Sequence, residues 1–174
     1  MSLPAPSPLL LAHRDAIEAA AARGPVLDLA CGRGRHARTV AGWGLRVVAL
    51  DRRLDALRDL RAATPQVEVL RADLETGHGI PLRSAVLGAI LVFRYLHRPL
   101  VEEIRRCLTP GGLLLYETFT VRQLELGWGP RSPQFLLEPG ELPRLFAGFE
   151  ILESREGLSR AERPAHLGWL VARR

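Results

Sequence analysis

Short apolar runs alternate with stretches of helix formers along this chain, and that alternation restricts the fold more than any other feature. Pro25–Ala30 (PVLDLA), Leu45–Asp51 (LRVVALD), Gln66–Glu75 (QVEVLRADLE), Ala85–Phe93 (AVLGAILVF) and Gly112–Thr120 (GLLLYETFT) read as strands. The fourth is almost continuously apolar, as suits a central strand covered on both faces of a parallel sheet. Helical stretches lie between them: residues 36–44 after a glycine-rich turn, 54–63, and 99–108, the last closed by the turn Thr109-Pro110-Gly111-Gly112. A helix over residues 8–22, stopped by Gly24 and Pro25, fills the leading segment 1–24. A short helix over 140–148 and two strands joined by the polar stretch 156–165 end the chain. Strands alternating with helices at this spacing predict an α/β doubly wound sheet, whose ligands bind beyond the carboxyl ends of the strands.

Bulk properties narrow the function class. The 174 residues suit one domain with its own core, and 47% hydrophobic with 25% charged residues is an ordinary globular balance. The opening MSLPAPSPLLLAHRD resembles neither a signal nor a transit peptide, and charges interrupt every apolar stretch before it could cross a bilayer. A cytoplasmic protein is expected. Cys31 and Cys107 stand far from each other and from any Cys/His cluster, so no disulfide and no metal site is expected. All 24 basic residues are arginine, scattered along the chain, which argues against a nucleic-acid partner despite the net charge of +5. The lack of lysine excludes Schiff-base and P-loop lysine chemistry.

The densest chemistry lies in Val26–Ala37, VLDLACGRGRHA. Gly32, Gly34 and Ala37 satisfy the loose dinucleotide pattern GxGxx(G/A), with Asp51 closing the next strand. Asp28 sharpens the reading, because a dehydrogenase strand would stay apolar at that position. The run becomes DxAxGxG. With Asp51 and Ala72-Asp73-Leu74, it resembles the first motifs of the class I S-adenosylmethionine-dependent methyltransferases over nearly the whole chain.

That resemblance implies a Rossmann-like sheet of seven strands, mostly parallel with the last strand antiparallel, and S-adenosyl-L-methionine as cofactor. It implies that Asp28, Leu29, Ala30, Cys31, Gly32, Arg33, Gly34, Arg35 and His36 surround the cofactor's amino-acid part. Asp51 and Arg52 would lie at the ribose, Ala72, Asp73 and Leu74 at the adenine, and Phe93 and Arg94 at the end of the fourth strand. Ala30 stands where the family usually has its first glycine, a departure that adds one methyl and asks only for a negative φ. Arg33, Arg35 and the following helix start supply donors for the cofactor carboxylate, or serve a solvated surface. His36 stacks beside the cofactor or lies on a helix surface.

The acceptor is expected beyond the fourth strand, at Phe93-Arg94-Tyr95-Leu96-His97-Arg98-Pro99. The Asn/Asp-Pro-Pro-aromatic motif of enzymes acting on base or glutamine nitrogens is missing there, which argues against those acceptors without identifying another; a small-molecule methyl acceptor is the first expectation. YLHRPL, YETFT and FLLEPGEL resemble a group of small bacterial methyltransferases of the tellurite-resistance type. Tyr95, His97 and Tyr116 are the candidate catalytic bases by position, although Tyr95 could equally pack on the cofactor and His97 cap the next helix. Glu117 could orient an amine acceptor. Residues 120–138, irregular and carrying Trp128 and Phe135, form the expected substrate loop. A nicotinamide-dependent oxidoreductase and a catalytically silent cofactor-binding module are the competing readings. Oligomeric state leaves no signal.

Overall fold

In a computed structural model, residues 4–159 and 163–174 are described. Seven strands form one sheet: β1 (Val26–Leu29), β2 (Val47–Asp51), β3 (Val67–Arg71), β4 (Leu87–Phe93), β5 (Leu108–Phe119), β6 (Glu150–Ser159) and β7 (Ala165–Arg173), in the order β3-β2-β1-β4-β5-β7-β6. The first five are mutually parallel, and β7 runs antiparallel to both β5 and β6. The expected doubly wound sheet with an antiparallel last strand is therefore what the chain builds. Strand order reverses between β1 and β4, so the crevice for a ligand lies beyond the carboxyl ends of these two strands.

Helices cover both faces. On one side α2 (Arg14–Ala21), α3 (Arg35–Gly42) and α4 (Leu54–Ala63) bury Ile17, Val40 and Leu60 against Ala49, Leu91 and Leu115. On the other, α5 (Val101–Cys107) and α6 (Glu141–Leu145) bury Ile104, Cys107 and Leu142 against Ile90, Val92 and Leu114. The period of two in the strands divides the cores: in β5, Leu113 and Leu115 face the first layer while Leu114 and Tyr116 face the second.

Three local expectations are corrected. The leading helix is broken into α1 (Pro8–Ala12) and α2, because His13 leaves helical geometry and turns its Nδ1 onto the Leu9 carbonyl at 3.0 Å. Thr109-Pro110-Gly111-Gly112 does not close a helix ahead of the strand: it lies within β5, where Gly111 at φ +75 accompanies a shift in register against β4. The joining stretch begins later than 156, since Glu156–Ser159 pair with Gly168–Ala165 of β7; residues 160–162 lie outside the described part. No helix of the described residues is long and apolar enough to cross a membrane.

Candidate active site

β1 delivers Asp28 into the first layer, flanked on either side by leucines that turn to the second. Asp28 is 1% exposed, and its Oδ2 accepts a hydrogen bond from Ala37 N at 2.9 Å, in the first turn of α3. Among the described residues no arginine or histidine pairs with it. Burial pushes its carboxyl up to about 7, partly countered by the Ala37 amide and Arg35, while Asp51 reinforces the rise. A buried carboxylate held by one neutral donor lacks a cation.

The turn after β1 climbs through two left-handed glycines, Gly32 at φ +56 and Gly34 at φ +73. A Cβ on Gly34 would come within 2.5 Å of Leu60 Cδ2, so glycine is required for α3 to pack on α4. A Cβ on Gly32 would meet nothing within 4 Å, leaving open space above the loop. Ala30 departs from the expectation of a negative φ and sits at +55, a conformation that taxes any residue with a Cβ. Ala30→Gly is accordingly expected to stabilise the protein by about 1 kcal/mol, or ~2–4 °C in Tm, and thermal melts in parallel would check it.

Asp51 closes β2 and ties the loop down: its Oδ2 accepts from Gly32 N at 2.8 Å and its Oδ1 from Arg53 N at 2.9 Å. A carboxylate has about four lone-pair sites, so two remain for other donors. Asp73 is exposed beyond β3, its Oδ1 accepting from Glu75 N at 3.0 Å. Tyr95 feels the charge of both acids. Its hydroxyl is pushed up to about 12 by burial and by the charges of Glu75, Asp73 and Asp51, with Arg52 opposing. Asp51 closes β2 and Asp73 follows β3, while Asp28 stands one residue before the end of β1, so the three acids lie toward the carboxyl end of neighbouring parallel strands.

Other expected residues distribute differently. Leu29 and Leu74 have side chains buried in the second core, while Ala72 is half-buried and packs against it. Cys31 is half-buried beside the loop, its thiol pushed up by burial and then by Asp28 and Asp51. Arg33 is exposed, and Arg52 reaches Glu75 at 3.9 Å. His36 is not a helix-surface residue: it is 3% exposed, stacks on Phe93 with centroids 3.9 Å apart, and accepts from Ser7 N at 3.2 Å. Burial, with Arg35 and Arg94, pushes it down to about 3, so it stays neutral.

The three candidate bases do not converge. Tyr116 is buried in the second layer against Phe146, its hydroxyl raised by burial. His97 lines a small cleft of about 140 Å³ with Leu74 and Glu103, and its side chain makes no cap to the turn that follows. Only Tyr95 stands near the acids of β2 and β3.

The neighbouring residue, Glu117, points to the first layer and lies at a much larger cleft of about 1250 Å³. It pairs in register with Phe93 of β4 and Trp169 of β7. Its Oε2 accepts from Ser7 Oγ at 2.5 Å and Trp169 Nε1 at 2.9 Å, and Arg94 Nε lies 3.2 Å from Oε1. The Pro4–Pro8 segment thus roofs a cleft floored by β5 and β7. Trp128 lines it, edge-on to Phe119, whereas Phe135 does not. Ser7, Trp169, Arg155 and Arg163 escaped the sequence reading because they come from the two ends of the chain, which no local pattern connects to the glycine loop.

A family profile described as "Methyltransferase domain" matches residues 26–112, half of the chain, which runs from β1 through the glycine loop and the acids of β2 and β3 into β5. The chain belongs to the class I S-adenosylmethionine-dependent methyltransferases. This methyltransferase is 38% identical over 92 residues to a trans-aconitate 2-methyltransferase of Azoarcus sp., covering 51% of this chain and 36% of that protein. It is also 38% identical over 107 residues to an uncharacterized methyltransferase of Mycobacterium bovis, covering 59% and 42%. The aligned stretch therefore spans less than half the length of these curated relatives. In structure it resembles an S-adenosylmethionine-dependent methyltransferase from Mesorhizobium loti, with TM-score 0.72 at 21% identity over 94% of this chain and 98% of that one. TehB from Haemophilus influenzae gives TM-score 0.71 at 19% identity over 93% and 62%, a likeness of fold alone that does not assign this methyltransferase to the tellurite-resistance group.

The site suits the cofactor chemically. The buried, unpaired Asp28 matches a cationic amino-acid head, and the open space above Gly32 leaves room for its backbone. When bound, S-adenosylmethionine supplies an electrophilic methyl group.

Proposed function

We propose that this single-domain methyltransferase transfers a methyl group to a small molecule bound in the 1250 Å³ cleft beside the glycine loop. The observation that carries the reading is adjacency: Arg35 belongs both to the cleft wall and to the first turn after Gly34, and Arg94 directly follows β4, the strand next to β1. Asp28 takes the cofactor's ammonium, Asp51 the ribose hydroxyls, and Asp73 with Tyr95 the adenine side. Gly32 and Gly34 let the backbone approach the amino-acid tail. The cleft is larger than the usual ~300–1,000 Å³ of a ligand pocket and is not lined by Asp28, Gly32, Asp51 or Asp73, so its volume is available to an acceptor. A relative that carries the name trans-aconitate 2-methyltransferase supports a small acceptor. Alignment of acceptor and methyl is the main contribution required of the protein, and proximity can supply ~7–11 kcal/mol of barrier reduction.

Calorimetric titration with S-adenosylhomocysteine tests this map. Asp51→Ala is expected to weaken binding about 10- to 100-fold by removing two charge-assisted acceptors, while Tyr116→Phe leaves it unchanged. Equal loss in both variants would refute the placement of the site.

A further inference from the structure

The large cleft carries four arginines, Arg35, Arg94, Arg155 and Arg163, against a single carboxylate, Glu117. Three guanidiniums lie over aromatic rings: Arg94 over Phe119 at 4.7 Å, Arg155 over Trp169 at 4.0 Å and Arg163 over Trp128 at 3.9 Å. Stacking holds a guanidinium by its face and leaves its N–H edge free to take a planar oxyanion in two-pronged fashion. Glu117 balances Arg94, and Glu153, outside the cleft wall, shares Arg155 Nε at 2.9 Å. Four cations less these two anions leave an excess of two positive charges facing the cavity.

The second observation concerns protons. A hydroxyl acceptor attacks well only as it gives up its proton, so an alcohol or phenol would call for a free base in the cleft. Glu117 is the only acid or imidazole among its described lining residues, and Ser7, Trp169 and Arg94 already occupy it. An acceptor that arrives ionised needs no such base.

We propose that the acceptor is an organic acid that enters as its carboxylate, is gripped by the stacked arginines of this cleft, and is O-methylated to an ester. The proposal rests on the methyltransferase site described above. A carboxylate oxygen forms the bond to the methyl carbon as the carbon–sulfur bond breaks, the electron pair of that bond stays on sulfur, and no proton moves. The acid loses one negative charge and the sulfonium its positive one.

The test uses the full chain saturated with S-adenosylhomocysteine, titrated with tricarballylate and with its neutral triamide. Tricarballylate is expected to bind and the triamide to bind at least tenfold more weakly. Arg155→Gln combined with Arg163→Gln should weaken tricarballylate binding about 10- to 100-fold while affinity for S-adenosylhomocysteine stays within twofold. With methyl-labelled cofactor and a panel of benzoate, itaconate, trans-aconitate, phenols and amines, label should enter acids in a form that alkali releases as methanol. Equal binding of the triamide, or alkali-stable label in a phenol or amine, overturns the proposal. So does loss of S-adenosylhomocysteine binding in the double variant, which would give these arginines to the cofactor's own carboxylate. If the unaltered protein fails to bind S-adenosylhomocysteine, the cofactor site itself is misplaced and the acceptor proposal falls with it.

Discussion

Asp28→Asn is expected to cost this methyltransferase roughly 100-fold in affinity for S-adenosylhomocysteine while making the free protein more stable at pH 8. Both effects come from one buried charge. Burial raises the Asp28 carboxyl from 3.8 to about 7, so the folded chain holds that proton more tightly than the unfolded chain. Its contribution to stability is complete below about pH 3.8 and is lost as pH rises through about 7, because the folded state binds more protons in between. At ~1.4 kcal/mol per unit, the loss is of order 4 kcal/mol above pH 7. Asparagine keeps an acceptor for Ala37 N and has no charge to desolvate, so urea midpoints at pH 8 should rise by an equivalent of about 1–3 kcal/mol. Binding shows the opposite preference, since the cofactor's ammonium calls for the ionised form. Affinity of the unaltered protein should grow about tenfold per pH unit between pH 5 and 6 and level off above 7, and the variant should lose that dependence. An affinity that stays flat from pH 5 to 8 in the unaltered protein would separate Asp28 from the cofactor.

Gly88→Ala is expected to remove about 3–5 kcal/mol, a large share of the ~5–15 kcal/mol that keeps a domain folded. Gly88 lies in β4 where α2 and the following turn cross the sheet, and a Cβ there would overlap the carbonyl oxygens of Ala20 and Gly24. These are backbone atoms, held by α2 and by the Gly88 N to Pro25 O bond of 3.0 Å, so no rotamer change relieves the clash. Gly42→Ala is the matched control, because a Cβ there meets nothing within 4 Å. It should leave the chemical-denaturation midpoint unchanged or slightly raised. Equal midpoints for the two variants would mean that α2 does not pack on β4 as described.

The residues proposed for the cofactor side were readable in the linear chain, and the reason is local. Asp28, Asp51 and Asp73 each stand at or near the end of an apolar run, and parallel strands bring their carboxyl ends to one edge without further information. The glycine loop was legible because Gly34 must be left-handed, whereas the left-handed Ala30 was not: an alanine letter carries no sign of its φ. His13 breaks the leading helix through a bond to Leu9, in a stretch whose composition favours continuity.

The acceptor side depended on distances that no periodicity encodes. Tyr116 and Glu117 are neighbours in sequence, yet the pleat sends one into the α5–α6 core and the other to the cleft, and only the register with β4 and β7 says which. Ser7 reaches Glu117 across 110 positions, and Trp169 across 52. Alternating runs and strand-end acids settle a cofactor-binding sheet, because hydrogen-bonding and burial within one element follow from its own residues. Which arginines meet over one cavity follows from the packing of the two chain ends against β5, a long-range arrangement whose energy belongs to contacts and not to any segment.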